Sequence, residues 1–414
     1  MTEESDSLIE RLAKHLLRPV DGATRERARL HLLDWLGCVA GARGSEVGRL
    51  EFPDATDNVL SKAAFLGNVL EMDDIHRSAL LHPGPVIWPA VLGGLNGGSD
   101  AWLDAAVRGY EAMISVGAMF DAHHYAHYHP TATAGVFGAA AAAASLLDCD
   151  MTQTASALAL AGSVTGGVWQ TRHEAVMAKQ WHVAHAVITG GSAAFFARQG
   201  VTGPRYILEG PQGVFAATCR DPKLLILGEG WRMAGVSFKP WAACRHTHPA
   251  IDAALELRAR GALTGAIRVE TYADALIFCD RPSPVTVAEA KFSLQHALAI
   301  VVERGAPTPA DFEPDAIVAL ADARARISVA EDGALTAAYP ARVGATVRTA
   351  EASITLADAR GDPERPLSRD GVIDKARQLM MWGGLTASNA DHAVRTAFED
   401  SDGDGVVTLL EAWL

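Results

Sequence analysis

The segment AIRVETYA at residues 266–273 alternates Ile, Val and Thr with polar side chains. A period of two is typical of a β-strand with one buried face. The sequence predicts two further strands at residues 341–347 and 352–356, and a helix at 291–302 between the first strand and these. Residues 360–366 have the composition of a loop, and helical spacing returns at 372–379. The change of pattern begins near Gly235.

Upstream of this change the chain has helical periodicity. Leu8, Ile9, Leu12 and Leu16 recur at helical spacing, and a second helix is predicted at residues 24–41, ending at Gly41. Segments 101–118, 135–147 and 152–167 are rich in Ala and Leu, and their small residues would let helices pack closely. A polar, histidine-rich connection at 121–130 interrupts this series.

These patterns predict a mainly α protein with a smaller α+β domain. With 414 residues the chain is too long for one ordinary core, so we expect two domains. The predicted helical domain comprises residues 1–234 and 367–414 and is discontinuous. The predicted α+β domain, at residues 235–366, is inserted between its two parts.

Charge and cysteine content exclude several classes of protein. The formal net charge of −13 argues against a general binder of nucleic acid or anionic membranes. No stretch has the length and apolarity of a membrane span, and acidic residues 1–7 do not resemble a signal peptide. Five scattered cysteines without CxxC spacing predict neither disulfides nor a zinc site. We therefore expect a cytoplasmic protein.

Three segments concentrate ionisable groups. In the first, Glu71-Met72-Asp73-Asp74-Ile75-His76 is followed by His82-Pro83-Gly84, which predicts a loop that holds side chains in a cleft. Alternatively, Asp73 or Asp74 only caps the next helix. His82 precedes an apolar run, where a polar group must be satisfied or used.

The second segment, HHYAHYHPT at residues 123–131, has four histidines in seven positions. It lacks a carboxylate or cysteine at supporting spacing, so no bound metal is predicted. Proton transfer or anion binding by one of these histidines is the preferred interpretation.

The third group combines KQWH at 179–182 with KPWAACRHTH at 239–248. A lysine among apolar and aromatic residues can act as a base or pair with a carboxylate, although single lysines are usually solvated. Cys244 lies near three basic residues, which favours thiolate, but a buried inert thiol is the commoner case. From the residues alone we infer a cationic, histidine-lined pocket, and no particular reaction.

In order along the chain, these segments resemble the MmgE/PrpD family, which includes 2-methylcitrate dehydratase, cis-aconitate decarboxylase and iminodisuccinate epimerase. The resemblance covers most of the chain and is carried by LLDWLGC at 32–38, EMDD at 71–74, HPG at 82–84, HPT at 129–131, AGS at 161–163, AKQWH at 178–182, LEG at 208–210, Lys239 with Cys244, CDRP at 279–282 and AKFS at 290–293.

The resemblance implies a helical domain, a smaller α+β lid and a homodimer, with an active site between the domains and no cofactor. It also implies proton transfer next to a carboxylate of a small polycarboxylic acid. By position, His82, Lys179 and His129 match residues of the family's catalytic pocket, and Lys239 matches a lysine thought to bind substrate. We expect acid–base work from His82 and Lys179.

Other residues are predicted to support these groups. Asp73 or Asp74 would orient the acid–base residues, and Arg245 would hold carboxylate together with Lys239. The remaining pocket residues are Glu71 and Cys244.

The acidic loop departs from decarboxylase-like members of the family. Those tend to read Asp-Phe-Asp-Asp-Thr, whereas here Glu71 replaces the first Asp and Ile75 the Thr. At the position of Cys244 the decarboxylases can carry His. A changed set of hydrogen-bonding groups should change the substrate.

These departures favour dehydration over decarboxylation, with epimerisation of an amino- or imino-dicarboxylate as the close alternative. A non-catalytic carboxylate-binding protein is the third hypothesis.

The C-terminal segment Asp400-Ser401-Asp402-Gly403-Asp404-Gly405, with Glu411, fits the calcium loop of an EF-hand. Only three residues follow Glu411, so an exit helix is nearly absent. An acidic turn between two terminal helices is the preferred interpretation, and a calcium-responsive regulator is the alternative.

Overall fold

The computed structural model describes residues 6–51, 58–94, 100–174 and 176–414. They form two compact units. The helical unit comprises the described residues of Met1–Val69, Asp73–Val236 and Arg369–Leu414, and the α+β unit comprises Leu70–Met72 and Ser237–Ser368. The chain thus passes between the units two residues after each predicted boundary. The short segment Leu70–Met72, which carries Glu71, belongs to the α+β unit.

Before residue 237 the helical unit is built from ten α-helices in the described residues. They are α1 Leu8–Leu16, α2 Gly22–Gly41, α3 Asn58–Leu66, α4 Gly84–Leu92, α5 Ala101–Gly117, α6 Ala122–His127, α7 Pro130–Leu146, α8 Met151–Gly162, α9 Ala178–Arg198 and α10 Val214–Thr218. Short 3₁₀ turns lie at Val47–Arg49, Trp169–Arg172 and Arg232–Gly235.

The α+β unit and the C-terminal return follow in sequence. The remaining elements are α11 His248–Ala259, β1 Ile267–Thr271, α12 Ala273–Cys279, α13 Val287–Lys291, α14 Leu294–Glu303, α15 Pro314–Ala319, α16 Ala321–Arg324, β2 Ile327–Glu331, α17 Gly333–Ala338, β3 Ala345–Arg348, β4 Ser353–Leu356, α18 Arg369–Trp382, α19 Ala387–Glu399 and α20 Asp404–Trp413. Two more 3₁₀ turns lie at Arg245–Thr247 and Pro309–Phe312.

Close helix packing in the helical unit depends on small residues, as the sequence predicted. Helix α7 begins at Pro130, whose fixed φ suits the first helical position, and is buried through Ala144. A Cβ added at Gly138 would lie 2.7 Å from Ile87 Cδ1 and 3.0 Å from the Gly109 carbonyl oxygen of α5. A side chain larger than hydrogen at Gly138 would therefore push α5 and α7 apart.

Helix α2 of the helical unit is buried along most of its length. It carries polar groups into the core, and each has a partner. Lys375 of α18 donates to Asp34 Oδ1 at 2.6 Å, with both side chains buried. Arg29 donates to the carbonyl oxygens of Ala397 and Asp400. These contacts join the C-terminal helices to the N-terminal part of the same unit.

The α+β unit contains one four-stranded sheet in its described residues, with strand order β2-β1-β3-β4. Strand β1 pairs parallel with β2, placing Val269 opposite Val329, and antiparallel with β3, placing Val269 opposite Val347. Strand β4 pairs antiparallel with β3. Burial alternates along β1, as the period of two predicted. The fold class, mainly α with a smaller α+β domain, is confirmed.

Several details differ from the sequence prediction. The strand predicted at 341–347 begins at Ala345, the helix predicted at 135–147 begins at Pro130, and the helix predicted at 291–302 begins at Leu294. The helix predicted at 152–167 ends at Gly162, and the connection predicted at 121–130 contains α6. Strand β2 was not predicted, because its sequence ISVAE is short and includes helix-favouring residues. Among the described residues no helix has the length and apolarity needed to cross a membrane.

The C-terminal acidic segment forms a capped turn between α19 and α20. Both oxygens of Asp400 accept backbone N–H groups, those of Asp402 and Gly403 at Oδ1 and that of Val406 at Oδ2. Helix α20 starts at Asp404, so Glu411 lies about 10 Å further along the helix, at 1.5 Å per residue. The geometry corresponds to the acidic turn, not to an open calcium loop.

Candidate functional site

Loop residues 73–84 in the helical unit are held in place through Asp74. Asp74 Oδ1 accepts the Gly84 N–H at 2.8 Å, and Oδ2 accepts the Tyr110 hydroxyl at 2.6 Å. His31 Nδ1 lies 2.8 Å from the same Oδ2. A Cβ at Gly84 would lie 2.8 Å from Asp74 Oδ1, so glycine is required for this contact. Asp74 therefore fixes the backbone of the loop and caps the start of α4.

His82 lies at the end of this loop with one ring nitrogen engaged. Its Nδ1 lies 2.8 Å from Asp73 Oδ2 and 3.0 Å from the Asp74 carbonyl oxygen, and its backbone N–H donates to Thr131 Oγ1. Both partners of Nδ1 are acceptors, so Nδ1 carries the proton and Nε2 carries the lone pair. Nε2 has no hydrogen-bond partner among the described residues, so it is available as a base.

His129 and His182 form an imidazole pair in the helical unit. Their Nδ1 atoms are 3.3 Å apart, and the His129 ring packs against Trp169 at 4.4 Å between centroids. Burial, followed by the charges of Lys179 and other nearby groups, lowers the pKa of His129 well below its usual range. Burial also lowers the pKa of His182, to which Lys179 contributes. His129 is therefore neutral at neutral pH.

The electrostatic effects on His129 come from four neighbours: Lys179, His182, His82 and Asp73. The helical unit thus brings four of the five residues predicted as catalytic into one electrostatically coupled cluster. Asp74, the fifth, contacts the cluster through its carbonyl oxygen, which accepts from His82 Nδ1. We refer to His82, Asp73, His129, His182 and Lys179 as the histidine cluster.

Glu71 and Lys239 pair within the α+β unit. Glu71 Oε2 lies 3.8 Å from Lys239 Nζ, and both side chains are buried. Glu71 has a φ of 57°, which is uncommon for a residue with a side chain. The carboxylate offsets part of the positive charge of Lys239, the group predicted to hold substrate carboxylate.

Cys244 and Cys279 are neighbouring thiols, buried in the α+β unit. Burial raises the pKa of Cys244, but hydrogen bonds from the Cys279 thiol and the His246 backbone outweigh it, and the net shift is downward. Burial and the neighbouring Cys244 raise the pKa of Cys279 well above its usual range. Cys244 is thus the more acidic thiol of the two.

One guanidinium nitrogen of Arg245 makes a structural contact within the α+β unit. Its Nη2 donates to Asp362, a carboxylate that also accepts the Ser237 hydroxyl and the Ala359 N–H. Nη1 of Arg245 is buried and has no hydrogen-bond partner among the described residues. Its predicted role in holding carboxylate would depend on this second nitrogen.

One trio of metal-type ligands converges within the described residues: Asp358, Asp362 and Glu364. Arg342 pairs with Asp358 and lies 3.9 Å from Glu364, and Arg245 pairs with Asp362. Arginine charges therefore already balance these acids. The trio is explained as an ion-pair network of the α+β unit.

Sequence reasoning missed His31 and Tyr110, which hold Asp74. His31 lies between Leu30 and Leu32, and Tyr110 shortly precedes the apolar run at residues 112–114; a buried polar group requires a partner. That signal marks them as structurally important. It does not reveal the partner, which for Tyr110 lies 36 residues away.

Comparison with known proteins bears on both units. The MmgE/PrpD N-terminal domain matches residues 60–226, and the MmgE/PrpD C-terminal domain matches residues 241–397. The chain belongs to the MmgE/PrpD family. The two matches together cover more than half of this MmgE/PrpD chain and include every predicted site residue except Lys239, which lies two residues before the second match.

Several curated relatives of this MmgE/PrpD protein carry related names. Human cis-aconitate decarboxylase is 31% identical over 200 residues, 45% of this chain and 41% of the relative. The mouse cis-aconitate decarboxylase is 29% identical over 198 residues, 45% of this chain and 40% of the relative. The cis-aconitate decarboxylase-like protein oryM of Aspergillus oryzae is 27% identical over 212 residues, 46% of this chain and 44% of the relative. The matched segments span less than half the length of these relatives.

Proposed function

We propose that this MmgE/PrpD protein is a cofactor-independent lyase that moves a proton at the carbon next to a carboxylate of a small polycarboxylic acid. The observation that carries the proposal is His82, whose Nδ1 faces Asp73 and the Asp74 carbonyl while Nε2 has no partner among the described residues. This is the arrangement of a histidine that acts as a general base.

The proposed reaction begins when Nε2 of His82 removes the proton. The electrons of the C–H bond move toward the adjacent carboxylate and form an enolate-like species. Lys179, as a cation, stabilises that charge or returns a proton. Asp73 stabilises the imidazolium that forms on His82. His129 is neutral because burial lowers its pKa, so it can serve as a hydrogen-bond donor or acceptor without adding charge.

The same enolate has two possible fates, and decarboxylation is a third reaction that does not begin with removal of the C–H proton. Loss of a hydroxide that a general acid protonates gives water and a C=C bond, which is dehydration. Protonation on the opposite face gives epimerisation. In decarboxylation a C–C bond breaks instead, CO₂ leaves, and the resulting carbanion takes up a proton. We propose dehydration as the leading reaction and epimerisation of an amino- or imino-dicarboxylate as the alternative.

The role proposed for Lys239 is to bind a substrate carboxylate, and it rests on the family resemblance. Its partner Glu71 keeps the charge of the Asp found in decarboxylase-like members but has a longer side chain, so it supports a change of substrate through the shape of the pocket and not through charge. Ile75 is buried and offers no hydroxyl. A non-catalytic carboxylate-binding role stays possible only if the histidine cluster turns over no substrate.

We propose a cytoplasmic location, which the five scattered cysteines without CxxC spacing support.

The test is a substrate panel followed by NMR in D₂O. It includes 2-hydroxy tricarboxylates, amino dicarboxylates, and cis-aconitate because of the names of the relatives. A C=C product with new ultraviolet absorbance supports dehydration, and deuterium incorporation without it supports epimerisation. Release of CO₂ from cis-aconitate would overturn our preference for dehydration.

Variants identify the catalytic groups. We expect His82→Ala and Lys179→Ala each to lower kcat by about 100-fold or more, the usual contribution of a positioned acid or base. His127→Ala is the matched control, because this histidine is exposed on α6. Unchanged turnover in both cluster variants would refute the assignment.

A further inference from the structure

Helix α9 is apolar on its exposed side as well as on its buried side. Its buried side consists of small or aliphatic residues, Val183, Ala184, Ala186, Gly190, Ala193, Ala194 and Ala197. On the other side Trp181, Ile188, Phe195 and Phe196 are each 51–53% exposed. A helix that is apolar all round is normally buried, so this surface indicates a partner.

The exposed positions form one stripe along α9. Trp181, His185, Ile188, Ser192 and Phe195 are exposed at alternating spacings of four and three residues, which places them on one side of a helix, as in a coiled-coil seam. We call these five residues the α9 stripe. Residues 180–197 contain no Asp, Glu, Lys or Arg, and depletion of charge is a property of interface centres.

The size of the surface fits a second copy of this chain. Half-exposed Trp181, Phe195 and Phe196 present about 100 Å² each, and Ile188 adds to this. The helix therefore supplies roughly half of the ~800 Å² that each partner contributes to a standard interface. Exposed Val201, whose N–H donates to the Phe196 carbonyl oxygen, extends the surface at one end.

At the other end of the helix the surface continues into the preceding segment. Val164, Val168 and Val176 are each more than half exposed. A Cβ at Gly167, next to Val168, would lie 3.6 Å from the His182 ring, so this segment adjoins the first turn of α9.

We propose that the α9 stripe packs antiparallel against the α9 stripe of a second copy, around a two-fold axis near Ile188. Trp181 and Phe195 lie seven residues on either side of Ile188. Antiparallel pairing therefore places Trp181 of each copy opposite Phe195 of the other, and the contact is self-complementary as a two-fold interface requires. The small residues Gly191 and Ser192 allow the helices to approach closely. The family resemblance predicts a homodimer without identifying its surface.

The pairing also has a consequence for the histidine cluster. Lys179 and His182 lie in the first turn of α9, and the antiparallel arrangement places the last turn of the second copy's helix beside that turn. The second copy thus covers the histidine cluster at Lys179 and His182 and holds the first turn of α9 in place. This consequence rests on the proposed function, whereas the interface itself does not.

Sedimentation velocity tests the interface. The wild type is expected at twice its chain mass of 43.7 kDa, and Ile188→Asp is expected to weaken the dimer by at least about 100-fold, because two central anchors become charged. Ile226→Asp, at another exposed isoleucine of the helical unit, is the matched control and is expected to leave the dimer intact. Retained helical circular dichroism excludes unfolding.

Cross-linking tests the two-fold axis directly. In Ile188→Cys the two introduced thiols meet at the axis, so mild oxidation is expected to give a covalent dimer on a non-reducing gel. Ile226→Cys is expected to stay monomeric on the same gel. A monomeric wild type at micromolar concentration, a dimeric Ile188→Asp, or failure of Ile188→Cys to cross-link each overturns the proposed interface.

Turnover separates this inference from the proposed function. We expect kcat of Ile188→Asp to fall by about tenfold or more, whereas oxidised Ile188→Cys, in which the dimer is locked, is expected to keep the wild-type kcat. A dissociated variant with full kcat overturns the coupling to the histidine cluster. A wild-type dimer that turns over no member of the panel refutes the proposed function, and the sedimentation and cross-linking results still decide the interface.

Discussion

At the scale of single residues, the side chain of Asp74 and its backbone have different roles. The carboxylate accepts from Tyr110 and Gly84, while the carbonyl oxygen accepts from Nδ1 of His82. Burial, together with the Asp74 charge, raises the pKa of Tyr110 well above its usual range, so Tyr110 stays protonated and donates. The proton position on His82 is thus set through a residue that does not touch Nε2.

Tyr110→Phe tests this arrangement. Removal of the hydroxyl leaves Asp74 Oδ2 without one donor, and we expect kcat to fall by about tenfold with little change in KM. The physical reason is a loosened Asp74 carbonyl, which holds the His82 ring less firmly; a hydrogen bond to a charged group contributes about 1.5–3 kcal/mol. Steady-state kinetics with the substrate identified by the panel measures the effect.

The His82→Ala background distinguishes positioning from a general structural defect. If Tyr110 acts through His82, Tyr110→Phe has no further effect on kcat in that background. Thr154→Val is the control, because it removes another buried hydroxyl of the helical unit, one that donates to the Cys149 carbonyl. A tenfold loss in this control as well would contradict a specific role for Tyr110.

Local sequence was sufficient to identify Asp73, Asp74 and His82 as site candidates, because they lie within ten residues of one another. It was insufficient for Tyr110 and His31, whose contacts with Asp74 span helices distant in sequence. Local sequence also could not predict the pairing of Glu71 with Lys239, since 168 residues separate them. Long-range partners of buried polar groups require the packing of the helices.

At the scale of elements, α2 and α18 are joined by a buried ion pair. Asp34 and Lys375 are both almost inaccessible to solvent. Burial raises the pKa of Asp34 to about 6, although Lys375 opposes this shift, and for Lys375 the attraction of Asp34 outweighs burial and raises its pKa. Each buried charge therefore stabilises the other, and removal of either partner would leave an uncompensated charge in the core.

We expect Lys375→Met to destabilise the protein by about 3–5 kcal/mol, because it leaves a buried carboxylate uncompensated. The loss should be larger at pH 8 than at pH 5.5, since acid neutralises Asp34. Urea unfolding followed by circular dichroism measures both values. Asp34→Leu combined with Lys375→Met should recover most of the loss, whereas Lys14→Met, at an exposed lysine of α1, should change little. A pH-independent loss would contradict the ionic explanation.

The turn between α19 and α20 is expected to bind no calcium. Asp400 is occupied by three backbone N–H groups, and Glu411 lies about two helical turns beyond Asp404. Isothermal titration with millimolar Ca²⁺ should therefore give no binding heat. A stoichiometric heat that disappears in Glu411→Gln would contradict this and restore the EF-hand alternative.

The predicted helices and strands agree with the structure where apolar residues recur at regular spacing. Helices α1, α2 and α5 and strand β1 lie within about two residues of the predicted ranges. The short elements α6 and β2 were missed, because AHHYAH is mostly polar and ISVAE includes helix-favouring residues. Tertiary contacts stabilise such elements, as when the parallel pairing with β1 defines β2.

At the scale of the whole molecule, buried neutral histidines make stability depend on pH. Burial lowers the pKa of His31 and His296 to about 4, and of His76 and His124 to about 3. A histidine whose folded pKa is depressed binds protons more readily when the chain is unfolded. Its contribution to stability is complete above about pH 6.5 and is lost as the pH falls toward the folded value. Stability is therefore expected to fall steadily below pH 6.5.

His124→Phe isolates one of these histidines. The His124 ring is buried and stacks on Phe120 at 3.6 Å between centroids, and neither ring nitrogen has a hydrogen-bond partner among the described residues. Phenylalanine preserves the stacking and removes the proton uptake. The free energy of unfolding should change little at pH 7.5, and its decline between pH 6 and 4 should be shallower by about 1.4 kcal/mol per pH unit. Urea titrations across this range measure the slope. The exposed His127→Phe should retain the wild-type slope, and equal slopes in all three proteins would show that His124 is not a source of acid lability.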